Sequence, residues 1–395
     1  MRGNINKEGL ITIFLFVTLL FSPFYYGCDK SGGINDIDNN DTTDIAEKSN
    51  LAKSKGNSIQ IDPFALYSLG ITPGQLIADL KKANIKYVHY FVVNYWNGGK
   101  NDDLFKKEYL DALEENGIGV WLMLLGNCFY GKTTFPKEWE MEFLTPYPEE
   151  ISFYSFHNDE YVNWQVMRVK TILRNYNFVG IEFAESYFPE WRTIYTNGFY
   201  GDVSLYARRK FTRQYLGLVD EEPLSFDAIR NDPEIYKKWQ DFRSDAIVNF
   251  NQKIKEAIKS INPKTLFASW GMGIRNGSLK EIREHFGLDM ERIVKEVKPD
   301  IFYIQTAAQD WGDPGLEPDY LLAYSYIVDA LKKAAPDVPL GIQTDIASLS
   351  FHDQSVEKRD GNWWTTFMNT SLSNGYYTNT AYEYSFYKQQ GLWVE

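Results

Sequence analysis

The sequence predicts an α/β fold in which eight parallel strands close into a barrel inside a layer of helices, and three observations predict it. Short apolar, β-rich runs alternate with longer segments of helical periodicity, the alternation runs through eight strands, and the connections differ systematically in length. Eight such repeats closing on themselves make the (β/α)8, or TIM, barrel. A doubly wound open sheet is the alternative, but no glycine-rich phosphate loop follows an early strand.

In chain order, the first segment is not part of that pattern. Arg2 and Lys7 precede the apolar run LITIFLFVTLLF, and Gly27 precedes Cys28, the layout of a lipoprotein secretion signal over residues 1–27 with Cys28 as the lipid attachment site. The apolar run is shorter than the ~20 residues that a spanning helix needs. Residues 29–57 hold no aromatic residue and are rich in Asp, Asn, Ser, Lys and Gly, so residues 28–57 are expected to form a flexible tether. The chain is therefore expected outside the cytoplasm, lipid-anchored to a bacterial membrane, with one barrel domain over 58–395.

The eight strands are read at IQIDPFALY, YVHYFVVNY, VWLMLLG, FVGIEFAE, LFASWG, IFYIQTAA, LGIQTDI and GYYTNTAYEY. The helical segments between them are TPGQLIADLKKA, DLFKKEYLDALEEN, EYVNWQVMRVKTILRNY, IYKKWQDFRSDAIVNFNQKIKEAIKSI, LDMERIVKEV, YLLAYSYIVDALKKA and NWWTTFMNTSL. Helix-to-strand connections are short, as at 84–86, 116–119 and 262–265. Strand-to-helix connections are long, at 127–159, 186 to about 234, 271–287 and 308–318. In a barrel the long ones lie over the C-terminal ends of the strands, where active sites are built.

Composition narrows the chemistry. A formal charge of −12 excludes a nucleic-acid binder, which needs clustered Lys and Arg. Only Cys128 remains if Cys28 is lipidated, so no internal disulfide is available. Four histidines, His89, His157, His285 and His352, show no metal-ligand spacing, which argues against a metal-dependent hydrolase; neither metal nor cofactor is expected. The aromatic content of 16% includes 11 Trp and 27 Tyr, suited to packing and to hydroxyl-rich ligands such as sugars.

Within GIEFAESYFPEW, Glu182 and Glu185 are three apart and point to opposite sides of a regular strand. Ile181 and Phe183 suit the helix-packed outside, which puts Glu182 inside the barrel and Glu185 just past the strand end, where it turns over the mouth. Glu185 is the candidate for chemistry and Glu182 a structural or substrate-orienting carboxylate. A second carboxylate would complete the pair that glycosidic cleavage requires; in order, the candidates are Asp345, Glu383 and Asp310. Other strand-end groups that could line a substrate site are His89, Tyr90, Asn94, Gln305, Gln309, Gln343 and Tyr382. Trp96, Trp191, Trp270 and Trp311 are candidate stacking platforms.

The stretch SFHNDEYVNWQVMRVKTILRNYNFVGIEFAE resembles the approach to the fourth strand in uncharacterised, glycosyl-hydrolase-like barrel families, which are distantly similar to barrel β-galactosidases and α-amylases. The stretch KKWQDFRSDAIVNFNQKIKEAIKSINPKTLFASWG, with Trp239, Phe242 and Arg243, resembles the W-x-x-F-R helix and Pro-led fifth strand of the same families. The resemblance covers roughly residues 60–385. Barrels of the β-galactosidase type carry an Asn-Glu pair whose Glu is the acid/base; Glu185 matches that Glu, while Ala184 stands where the Asn would be. Their seventh-strand nucleophile is a Glu, where this chain offers Asp345. Amylase-type barrels place an aspartate at the position of Ala184, and chitinase-type barrels alternate acids where this chain has Glu182, Ala184 and Ser186. The resemblance implies a hydrolase acting on a carbohydrate substrate, and the departures leave a non-catalytic glycan-binding lipoprotein as the alternative.

Overall fold

The computed structural model describes residues 49–93, 105–130, 133–146, 151–189, 199–353 and 355–393. Cys28, Asn94, Trp96 and Trp191 lie outside the described residues.

The barrel strands are β1 (Ile59–Ile61), β2 (Tyr87–Val92), β3 (Gly119–Leu125), β4 (Gly180–Ala184), β5 (Leu266–Met272), β6 (Ile301–Gln305), β7 (Leu340–Asp345) and β8 (Thr378–Tyr382). They pair in parallel with their neighbours in chain order. Closure comes from the short strand Gly56–Asn57, immediately before β1, which pairs in parallel with Thr378–Asn379; Ser58 N–H adds a bond to Asn379 O at 3.0 Å. The expected fold class is the observed one.

Two stretches differ from expectation. IQIDPFALY is a strand only over Ile59–Ile61, because Asp62 accepts from the N–H groups of Phe64 and Ala65 and, with Pro63 at the first helical position, starts the helix Pro63–Ser68. The tether composition extends to residue 57, yet residues 49–53 are helical and 56–57 form the closing strand. This segment is held by tertiary partners that its composition does not announce. Ser54 is buried and accepts the Trp121 indole N–H at 2.8 Å, and Tyr377 OH donates to Leu51 O at 2.7 Å.

Alternate strand residues point inward. The lower interior is filled by Tyr87, Trp121, Leu266, Ile301 and Tyr303, all buried. Those rings have room because Gly180 and Gly341 lack a side chain: a Cβ on Gly180 would collide with the Trp121 ring, and one on Gly341 with the Tyr303 ring. The outward-facing residues, among them Ile181, Phe183, Phe267, Phe302 and Ile342, belong to the large core beneath the helices. The longest helix, Pro233–Ile261, is capped by Asp232 and packs on Asp159–Asn175. Its Trp239 and Phe242 join Tyr200, Phe211 and Phe226 in a separate apolar cluster under the loop that follows β4.

The long strand-to-helix connections contain structure of their own. An antiparallel hairpin, Cys128–Tyr130 with Ile151–Phe153, follows β3, the helices Leu205–Tyr215 and Phe226–Asn231 follow β4, and Leu279–Phe286 follows β5. Among the described residues no helix is long and apolar enough to cross a membrane.

Candidate active site

A cavity of about 190 Å³ opens at the C-terminal ends of the barrel strands, and its walls include Glu185, Trp270, Gln305, Trp311, Gln343, Asp345 and Tyr382 from the residues singled out by sequence. Gln60, Phe91, Met123, Tyr130 and Ser348 also line it. Gln60 is absent from the sequence candidates, although a polar residue at the centre of an Ile-Gln-Ile strand is a signal that could have found it. Tyr130 gave no such signal, because only the folding back of the hairpin brings it to the mouth.

Strand β4 ends at Ala184, whose carbonyl accepts Gly126 N–H at 2.8 Å. The next residue, Glu185, has φ +53°, a left-handed backbone that breaks the alternation and swings the side chain over the cavity. Both carboxylate oxygens find donors from the hairpin after β3. Cys128 Sγ donates to Oε2 at 2.6 Å, and Tyr130 OH lies 3.2 and 3.3 Å from the two oxygens. Burial raises the Glu185 carboxyl above its ordinary value, against the pull of those two donors. A carboxyl raised in this way keeps a proton nearer neutral pH, which is what a general acid needs.

The three candidates for a second carboxylate are placed differently. Asp345 lines the same cavity from the end of β7, but its oxygens accept from Ala347 N–H and Ser348 N–H, each at 3.0 Å, and from Ser348 OH. Burial raises its carboxyl as well, opposed by Ser348 and by the Arg359 charge. Asp310 lies outside the lining, accepting from Tyr324 OH at 2.5 Å. Glu383 is also outside it: fully buried, it caps the helix Tyr384–Gln389, accepting from Phe386 N–H at 3.0 Å, Ser385 OH at 2.8 Å and Asp62 N–H at 2.9 Å. The structure thus sets only Asp345 of the three in the cavity with Glu185.

Glu383 predicts a pH dependence of stability instead. Burial, with the Asp62 charge beside it, pushes its carboxyl up to about 8, and burial pushes Asp62 up to about 6. Such a group holds a proton in the folded state at pH values where the unfolded chain has released it. Its contribution to stability is complete below the unfolded value of 4.5 and is lost as pH rises through about 8. Urea unfolding between about pH 5 and pH 9 should therefore show a steeper fall in stability for wild type than for Glu383→Gln. Equal slopes for the two proteins would refute this assignment.

One layer below the cavity, Glu182 is fully buried between two donors. His89 Nδ1 contacts Oε1, and the Trp270 indole N–H donates to Oε2 at 2.9 Å. The other His89 nitrogen bonds Ser58 Oγ at 2.9 Å, and Tyr303 stacks on Trp270 with ring centroids 4.6 Å apart. Neither Glu182 nor His89 lines the cavity. Together they hold Trp270, which does. Further out, Arg243 is buried against the Phe188 and Tyr200 rings and donates to the Glu284 and His285 carbonyls at 2.7 and 3.1 Å. The Trp-x-x-Phe-Arg segment is thus a clamp on the loop leaving Glu185. Among the described residues no group of His, Cys, Asp or Glu is arranged to hold a metal ion.

Neither protein-family profiles nor curated proteins match the sequence. Solved structures do match the fold. The glycoside hydrolase domain of PgaB (BpsB) from Bordetella bronchiseptica superposes with a TM-score of 0.64 at 13% identity, covering 85% of this chain and 96% of that one. The β-galactosidase of Bacillus circulans sp. alkalophilus gives 0.59 at 9% identity over 84% of this chain and 50% of its own. That of the psychrophilic Marinomonas ef1 gives 0.57 at 15%, over 83% and 54%. The chain spans about half the length of these β-galactosidases. At such identities the likeness establishes the fold: a barrel of the kind found in glycoside hydrolases, distantly related at most.

Proposed function

We propose that this protein cleaves glycosidic bonds in a poly- or oligosaccharide by a two-carboxylate mechanism, with Glu185 as general acid/base and Asp345 as the second carboxylate. The observation that supports this most directly is that two carboxyls, one just past the end of β4 and one at the end of β7, share one aromatic-walled cavity at the mouth of the barrel. The protonated Glu185 gives its proton to the glycosidic oxygen as the C–O bond breaks, so the leaving sugar departs as a neutral alcohol. The carboxylate of Asp345 faces the developing positive charge at the sugar carbon, either directly or through the water that then adds to it. Where Asp345 acts directly, by bonding to the sugar carbon, ionised Glu185 takes a proton from the water that displaces it; where Asp345 acts through the water, Asp345 takes that proton and Glu185 is reprotonated from solvent. The similar solved barrels named as glycoside hydrolases fit this reading.

A second reading has its own observation. Asp345 is already held by three donors of its own loop, and Ala184 offers Glu185 no side-chain partner. A glycan-binding protein on the same barrel would look like this. Release of reducing ends from a panel of oligosaccharides separates the two: turnover that disappears in Glu185→Gln supports the hydrolase, and binding without turnover supports the second.

The protein is proposed to be exported and anchored through lipid on Cys28, on the strength of the Gly27-Cys28 junction after the apolar run. Radiolabelled palmitate should enter the wild-type protein and not Cys28→Ser, which should move from the membrane to the soluble fraction. Equal membrane recovery of the two proteins would end the lipid-anchor proposal.

A further inference from the structure

We propose that the inner end of the cavity is a subsite for a glycosyl unit that bears no acidic group, recognised by the side-chain amides of Gln60, Gln305 and Gln343. The proposal rests on the reading of the cavity as a carbohydrate site and states what kind of sugar enters it.

The three glutamines project from β1, β6 and β7, a run of the barrel wall interrupted only by β8, and Gln305 and Gln343 are direct partners in the β6–β7 register. All three line the cavity, and they are only 2%, 8% and 3% exposed, respectively. Each has a buried amide atom without a protein partner: Nε2 of Gln60 and Oε1 of Gln305 and of Gln343. Gln343 Nε2 is used, donating to Thr344 O at 3.1 Å. A buried amide atom without a protein partner is satisfied only from outside the chain, and three such atoms on one cavity wall can share a single ligand. An amide both donates and accepts, as a sugar hydroxyl does, so a ring carrying several hydroxyls can satisfy all three. In the same lining, Trp270, Phe91 and Met123 offer apolar surface to the C–H face of such a ring.

Charge decides the rest. The ionisable acids of the lining are Glu185 and Asp345, and no Lys, Arg or His lines this cavity among the described residues. Arg359, the cation that acts on Asp345, donates to the Trp311 carbonyl and is not in the lining. A carboxylate or sulfate on the bound unit would meet the charge of Asp345 and no counter-charge among the described lining residues, in a site where desolvation makes that repulsion costly.

The test is titration of the wild-type protein, by ligand-observed NMR and calorimetry, with methyl glycosides of neutral hexoses and with the matching methyl uronides. At least one neutral glycoside should bind, and its uronide should bind at least ~10-fold more weakly. Gln305→Leu and Gln343→Leu should each weaken the neutral glycoside by ~3- to 10-fold, the worth of a hydroxyl–amide bond. The Tm of Gln305→Leu should stay the same or rise, because it removes a buried polar atom that has no protein partner, while Gln343→Leu also gives up the bond to Thr344 O and should melt slightly lower. A uronide binding as tightly as the neutral sugar, unchanged affinity in both Leu variants, or no neutral glycoside binding at all would each overturn the proposal. The hydrolase reading stands or falls separately. Amide-dependent binding without turnover on any glycoside sinks the hydrolase and keeps this subsite; turnover whose KM ignores both Leu variants does the reverse.

Discussion

Glu185→Gln is expected to lower turnover by ~10²- to 10⁴-fold, the usual contribution of a positioned general acid/base, with oligosaccharide affinity and Tm near those of wild type. Gln keeps the side-chain length and still accepts from Cys128 and Tyr130, so the hairpin stays docked on it. What it cannot do is deliver a proton to the leaving oxygen. The affinity control matters because the residue touches the cavity from one wall only, while Trp270, Trp311 and the glutamines stay in place. A loss concentrated in kcat identifies the proton donor. An unchanged kcat removes Glu185 from the chemistry, and a loss confined to KM assigns it to binding alone.

Glu182→Ala should give a large stability loss in the barrel interior. It strips the partner from His89 Nδ1 and from the Trp270 indole N–H in a site with no access to solvent. Breaking a buried, hydrogen-bonded pair by removing one member costs about 3–5 kcal/mol, most of it the desolvation of the groups left behind. Denaturant unfolding measures the loss directly. Glu182→Gln, which can still accept from the indole, should lose distinctly less. If the Ala and Gln variants were equally stable, the buried network would have no structural weight and Trp270 would be held by packing with Tyr303 alone.

Much of this arrangement was legible in the sequence because it follows from local rules. The strand–helix alternation marks all eight barrel strands, and side chains alternating every second residue separate Glu182 from Glu185 before any contact is known. The fate of the other carboxylates was not legible. Asp345 closes one strand, Glu383 directly follows another, and the two look alike in sequence, yet Asp345 stays in the cavity while Glu383 becomes the cap of the last helix and reaches the Asp62 N–H at the start of the helix Pro63–Ser68. The choice depends on how a handful of residues turn after the strand, which no periodicity encodes. The segment 49–57 departs from its composition for a related reason. Its composition is that of a linker, and its order comes from Trp121, Tyr377 and β8, all distant in sequence.

By itself the sequence determined the architecture and the identity of the mouth-facing glutamate, since strand period, helix period and loop length are properties of neighbours along the chain. Only the tertiary structure decided which groups share the cavity. Gln60, Tyr130, Glu185, Gln305, Gln343 and Asp345 come from four strands or their ends and a hairpin, and their meeting depends on the register in which the closed barrel sets one strand end against another. Closure is a condition on the whole ring of strands, so no single segment could have stated it.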